Sequence, residues 1–234
     1  MIAQHRNIEL IDHLVKATPD KEVIAAGLGE LMVQAGDDGD FKLLDYLCSE
    51  NANINAQNSW GKTSLHGALA KDHVEFARKL CELGSDVTLT DDDQRTALFY
   101  AAAPESLPAF QLMRENYAEV AARLIQLGEA NGGKIPSDIR AIEPGTPYGY
   151  YPTDNTESID LLMSYGAHIE ATDKEGMTPL LLACTCGRPS KIETLLAHGA
   201  NREHKTFAGQ TACDLTASHH YEPHAVIIRS LVSQ

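Results

Sequence analysis

The sequence predicts an all-α solenoid of about six two-helix repeats with β-hairpin loops, an N-terminal capping helix and a distorted central region. Three observations predict it. Thr63 to Thr96 and Thr178 to Thr211 are both 33 residues apart. A turn position recurs at Asn51, Gly84, Gly128, Gly166 and Gly199, in steps of 33, 44, 38 and 33. Between these marks, short apolar stripes recur at helical spacing. The two long steps exceed the period by 11 and 5. The 82 residues from Thr96 to Thr178 are two periods with the same 16 left over, which places insertions inside the third and fourth repeats. A pair of short helices cannot bury both its stripes alone, so each pair needs neighbours stacked on it.

Residues 3–17 read as a helix with Ile8, Ile11, Leu14 and Val15 on one side. Thr18-Pro19 ends it and can start the next. Residues 1–19 are therefore expected to cap the open end, because a terminal unit needs an outer face that tolerates water. The first repeat is set at 20–57. Val23, Ile24, Leu28, Leu31 and Met32 give its first helix an apolar face, and Phe41, Leu43, Leu44 and Leu47 its second.

The second repeat, 58–90, opens on Thr63-Ser64-Leu65-His66 and lines its second helix with Phe76, Ala77 and Leu80. The third, 91–131, starts at Thr96-Ala97-Leu98. Pro104 and Pro108 interrupt it, and its insertion is placed within 104–116. Val120, Ala121, Leu124 and Ile125 form its second stripe. The fourth, 132–172, has four prolines and three closely spaced tyrosines in 132–155, where the other insertion falls. Only its second helix, about 156–165, is well patterned, through Ile159, Leu161, Leu162 and Tyr165.

The fifth repeat, 173–205, carries the clearest pattern. Thr178 can cap its first helix through the hydroxyl. Pro179 then occupies the first helical position, where no backbone donor is needed. Leu180, Leu182 and Ala183 form one stripe, and Ile192, Leu195 and Leu196 the other. Gly199 suits the left-handed conformation that ends a helix. The sixth repeat, 206–234, starts at Phe207-Ala208-Gly209-Gln210-Thr211 and ends in a helix with Val226, Ile227, Ile228 and Leu231.

Thr178-Pro179-Leu180, the 33-residue period and the closing His198-Gly199-Ala200-Asn201 resemble the ankyrin repeat family. Thr63-Ser64-Leu65-His66 resembles its Thr-Pro-Leu-His tetrapeptide, with Ser in place of Pro. The resemblance covers residues 20–234 and is strongest at 58–103 and 156–212. It implies protein–protein binding without catalysis, by an adaptor, scaffold or inhibitor that meets its partner through hairpin tips and a concave face. It also implies that His66 hydrogen-bonds neighbouring backbone and fixes the stacking of loops. Ankyrin proteins with eroded repeats further resemble effectors that intracellular bacteria inject into host cells, which would place the protein in a host cytosol.

Carried over position by position, the family's variable tip residues are Ser59, Trp60 and Lys62, then Asp92, Asp93 and Arg95. Lys174, Glu175 and Met177 follow, and Phe207 and Gln210 end the set. Trp60, the single Trp, has two readings: an outward interface anchor, or a ring packed on the neighbouring hairpin. Tyr148, Tyr150 and Tyr151 are further candidates, since Tyr gives large contact area at low entropic cost. Their alternative is to fill the space of a missing helix.

Lys and Arg number 19 against 33 Asp and Glu, a net charge of −14. That argues against a nucleic-acid backbone or an anionic membrane as partner. Solubility is one reading of the acidity and a basic protein partner the other. Five cysteines without framework spacing fit a reducing compartment. No early apolar run is long enough for a signal peptide or a membrane span, so a cytoplasmic, monomeric protein is expected.

No phosphate-cradling loop and no nucleophile elbow is present, and no cofactor is expected. Cys184 and Cys186 read as packing residues, since one such pair is half a zinc site. His219, His220 and His224 suggest a metal, but Pro223 disfavours the helix that would align them. Asp91, Asp92 and Asp93 read as a solvated turn. Two further hypotheses remain: an enzyme or metal-dependent domain built on the insertions, and a homo-oligomer assembled through an exposed array end.

Overall fold

The computed structural model describes residues 8–103, 155–186 and 188–217. Its helices are α1 (Ile8–Ala17), α2 (Lys21–Asp38), α3 (Phe41–Ser49), α4 (Ser64–Ala70), α5 (Val74–Glu82) and α6 (Ala97–Ala102). They continue as α7 (Glu157–Ser164), α8 (Pro179–Thr185), α9 (Pro189–Ala197) and α10 (Ala212–Ala217). Among the described residues there is no strand, only an isolated bridge between Thr90 and Thr96. The expected hairpins are tight loops closed by one repeated bond instead. Asn58 N–H donates to Lys62 O at 2.9 Å, and Asp91 to Arg95, Asp173 to Met177 and Thr206 to Gln210 at 3.0 Å each.

Local chemistry sets the helix ends. Asp20 caps α2 by accepting from the amides of Glu22 and Val23. Gly39, at φ 63, turns the chain out of α2. Asp40 then caps α3 through Lys42 and Leu43. Thr178 Oγ1 accepts from Leu181 N at 3.3 Å, with Pro179 in the first turn as expected.

The helices stack in two rows. First helices α2, α4, α6, α8 and α10 pack each on the next. Behind them, α3 packs on α2, α5 on α4, α7 on α6 and α9 on α8. Phe41 of α3 and Phe76 of α5 meet edge to face at 5.1 Å. One buried cluster runs unbroken from Leu28 to Ala212. Such a stack is the all-α solenoid the period predicts.

The close approach of α2 and α4 depends on small residues. A Cβ on Gly36 would lie 2.1 Å from the carbonyl oxygen of Ser64, and one on Gly67 2.3 Å from Asp37 Oδ1. α1 has no buried residue; Ile11 and Val15 touch the core, while Leu10 and Leu14 stay about half exposed.

Separate repeats were expected at 91–131 and 132–172. Among the described residues, 91–172 holds one tip at 91–95, one first helix, α6, and one second helix, α7. α7 packs on α6 and lies between α5 and α9, the place of α6's own partner. The next tip, 173–177, bonds directly to tip 91–95: Lys174 N–H donates to Asp93 O at 3.0 Å. The second helix expected near Val120 and Ile125, and the turn at Gly128, lie outside the described residues.

Candidate protein-binding surface

Four tips, at 58–62, 91–95, 173–177 and 206–210, stand in a row along one edge of the stack. One side-chain oxygen shapes each of the first three. Asn58 Oδ1 accepts from Trp60 N and Lys62 N, both at 3.0 Å. Asp91 Oδ1 accepts from Asp93 N and Arg95 N at 2.8 and 2.9 Å. Asp173 Oδ1 accepts from Glu175 N and Met177 N at 2.9 Å each. In the fourth, Thr206 Oγ1 accepts from Gln210 N at 3.2 Å. Short polar side chains favour such turns because they bond their own following backbone.

The tips are also tied to one another. Asp92 N–H donates to Trp60 O at 3.0 Å, Lys174 N–H to Asp93 O at 3.0 Å, and Phe207 N–H to Glu175 O at 3.1 Å. Each donor lies four residues before its threonine (Thr96, Thr178, Thr211), and each acceptor three before the preceding one (Thr63, Thr96, Thr178). The register is identical at all three joints.

His66 adds a bond behind this row. It is buried, and Thr63 N–H donates to its Nδ1 at 3.0 Å. The ring proton therefore sits on Nε2, which donates to the carbonyl of Arg95 at 3.1 Å. His66 thus ties α4 to the next tip, the structural part its motif implied. Burial pushes its pKa down to about 4.

Charge is arranged around Asp91 and Asp173, both buried. Tyr100 Oη donates to Asp91 Oδ2 at 2.5 Å, and the Lys62 ammonium lies 4.9 Å over the Tyr100 ring. Arg95 Nε pairs with Asp173 Oδ2 at 3.3 Å, joining neighbouring tips. Burial opposes the charge on Arg95, but the carboxylates of Asp173, Asp93 and Asp91 together outweigh it and raise its pKa above the ordinary range. Lys174 Nζ lies 3.7 Å from Asp93. The sequence reading missed Asp173, the first residue of its own tip, and Tyr100, which lies in α6 and reaches a tip through its bond to Asp91.

The tip candidates divide by exposure. Trp60 is 66% exposed and Phe207 79%, the first and last large side chains of the row. The Trp60 side chain is thus mostly in solvent, as an outward anchor would be. Ser59, Asp92, Asp93, Lys174, Glu175 and Gln210 are exposed, and Lys62 and Arg95 half-buried. Met177 is a correction. It is only 9% exposed and belongs to the core cluster, because its side chain turns under the tip onto the helices. Tyr148, Tyr150 and Tyr151 lie outside the described residues.

Among the described residues no group of three or more His, Cys, Asp and Glu could hold a metal. Burial pushes Cys184 up to about 12 and Cys186 up to about 11, so both stay protonated thiols. His219, His220 and His224 lie outside the described residues. No described helix is long and apolar enough to cross a membrane. An open pocket of about 440 Å³ sits at the turns between helices, lined in part by Phe41, His73, Phe76 and Glu157.

Stacked helix pairs with bonded tips define a repeat solenoid of about 33 residues per unit, a class built to present an edge and a face to another molecule. The comparisons place it more narrowly. A family model described as ankyrin repeats (3 copies) matches residues 31–123, and one described as ankyrin repeats (many copies) matches 153–196. Together they span more than half of the sequence, and the chain belongs to the ankyrin repeat family. A mouse B-cell lymphoma 3 protein homolog is 24% identical over 82% of this chain and 40% of its own length. Human protein phosphatase 1 regulatory subunit 27 is 32% identical over 44% of this chain and 64% of its own. Human SH3 and multiple ankyrin repeat domains protein 2 is 25% identical over 89% of this chain but 10% of its own. The chain thus spans less than two thirds of the length of these relatives.

Proposed function

We propose that the protein is a non-catalytic interaction module, an adaptor, scaffold or inhibitor, that binds a protein partner along its tip edge and concave face. One observation carries this reading: Trp60 and Phe207 stand mostly in solvent on tips that hydrogen bonds hold rigid. Large rings kept out of a core cost solubility, and exposed aromatic side chains are the usual anchors of interfaces. The first helices α4 and α6 have no exposed residue, so the tips supply most of the accessible side chains on that side. One relative is named a regulatory subunit of protein phosphatase 1, and a binding role is read here by analogy with such names.

We further infer that 91–172 is a single repeat, opened between α6 and α7 by about 49 residues beyond the 33-residue period. Five repeats then replace six. Tips 91–95 and 173–177, on either side of it in sequence, are bonded directly to each other.

Affinity capture with the full chain tests the binding role. Wild type is compared with Trp60→Ala/Phe207→Ala and with Leu83→Ala, an exposed residue off the tips. The expected result is partners held by wild type and by Leu83→Ala and lost by the tip variant. A tip variant that keeps every wild-type partner refutes the reading.

A further inference from the structure

The order of side chains along the tips specifies the partner more closely. Trp60 opens the row and Phe207 closes it, both well exposed. Between them the surface is charged. Lys62 lies over Tyr100, Arg95 pairs with Asp173, and Lys174 lies beside Asp93. Each cation of the row is thus engaged by a neighbour. Asp92 and Glu175 are exposed and form no ion pair among the described residues. Counting buried Asp91 and Asp173, five acids (Asp91, Asp92, Asp93, Asp173, Glu175) stand against three cations (Lys62, Arg95, Lys174), so the row is apolar at its ends and negative in its middle.

We propose that this edge binds an extended segment of a partner protein, with Lys or Arg at its centre and an apolar side chain towards each end. The inference rests on the tip-binding reading above. Apolar ends would seat on Trp60 and Phe207, and the basic centre would face Asp92 and Glu175. The length follows from the fold. Neighbouring packed helices lie about 9 Å apart, so three steps from the first tip to the last span roughly 27 Å. An extended chain advances about 3.4 Å per residue, so about eight residues separate the two apolar anchors. A helix would need about 18 residues to cover the same span. Charge complementarity fixes the sign of the centre, and also gives orientation and speed of encounter.

The test selects a display library of random peptides on the full chain. The peptides are about 14 residues long, longer than the required span. Selection is countered with the Trp60→Ala/Phe207→Ala/Asp92→Lys/Glu175→Lys variant, whose altered side chains are all exposed. Circular dichroism melting confirms that the variant stays folded. The expected result is enrichment of Lys and Arg at the centre, with apolar residues about eight positions apart on either side. Synthetic winners should lose about tenfold in affinity towards Trp60→Ala/Phe207→Ala, and again towards Asp92→Lys/Glu175→Lys. Only the second loss should shrink in high salt. Acidic winners, winners without that spacing, equal binding to the variant, or no enrichment over it each overturn the proposal. If partner capture still depends on the tips while the peptides fail, the binding role stands and this inference falls. If capture is also independent of the tips, both fall.

Discussion

Replacing Gly36 by Ala should break a close helix contact in the stack, whereas the same change at Gly27 should help. Both glycines lie in α2, where Ala is worth up to about 1 kcal/mol over Gly. At Gly27 nothing lies within 4 Å of an added Cβ, so that gain should appear nearly whole. At Gly36 the added Cβ would lie 2.1 Å from Ser64 O and 2.7 Å from Ser64 C, both backbone atoms at the start of α4. Ordinary contact begins near 3.4 Å. The two helices must therefore part by about 1 Å, along an interface where Met32, Leu65 and Ala68 are at most 1% exposed. Overpacking of this kind costs about 1–3 kcal/mol, and the helix propensity gain offsets only part of it. Urea unfolding followed by circular dichroism gives both signs in one assay. Gly27→Ala should raise the midpoint and Gly36→Ala should lower it at unchanged slope. A Gly36→Ala protein as stable as Gly27→Ala would show that α2 and α4 do not approach as described.

Two further predictions follow from the tips. Gln94 has φ 64, where the other three tips place Gly61, Gly176 and Gly209. A left-handed non-glycine residue costs about 1 kcal/mol, so Gln94→Gly should stabilise by up to that amount, or about 2–4 °C in Tm. An unchanged or lower Tm would refute the strain. His66 has a folded pKa of about 4 against an ordinary 6.5, so below pH 6.5 the unfolded chain takes up the proton first. Its contribution is therefore present above pH 6.5 and lost as pH falls towards 4, by up to roughly 3 kcal/mol. Stability measured across that range should fall less steeply in His66→Asn than in wild type; parallel curves would show that His66 is not the group responsible.

Most of the fold was legible because ankyrin packing writes itself into short-range signals. Thr178-Pro179 names a helix start with a hydroxyl and a fixed φ, and α8 begins there. Stripes such as Leu43, Leu44 and Leu47 name a buried face, and all three are fully buried. The candidate surface was less legible. Position beside a turn glycine does not say which way a side chain points. Lys62 and Arg95 lie half-buried, Met177 is in the core and Gln210 is exposed, although all four hold equivalent places. The tip is a tight loop, and its last residue already leads into a helix, so a thioether drops into the core where an amide stays in water. Residue type was the available signal: one apolar side chain among polar equivalents.

The repeat count we infer differs from the sequence reading for another reason. The 82 residues from Thr96 to Thr178 divide equally well as two periods with 16 left over or one period with 49. Gly128 and the stripe at Val120–Ile125 favour the first division. Periodicity records the local helix; it does not record its neighbour. The bond from Lys174 N to Asp93 O is such a record, since it repeats the register of Asp92 to Trp60 and Phe207 to Glu175. We infer a single repeat because an intervening one would place its own tip between these two, which a direct 3.0 Å bond opposes. The same continuity makes the row from Trp60 to Phe207 one edge and not two halves, and the eight-residue segment proposed for it depends on that.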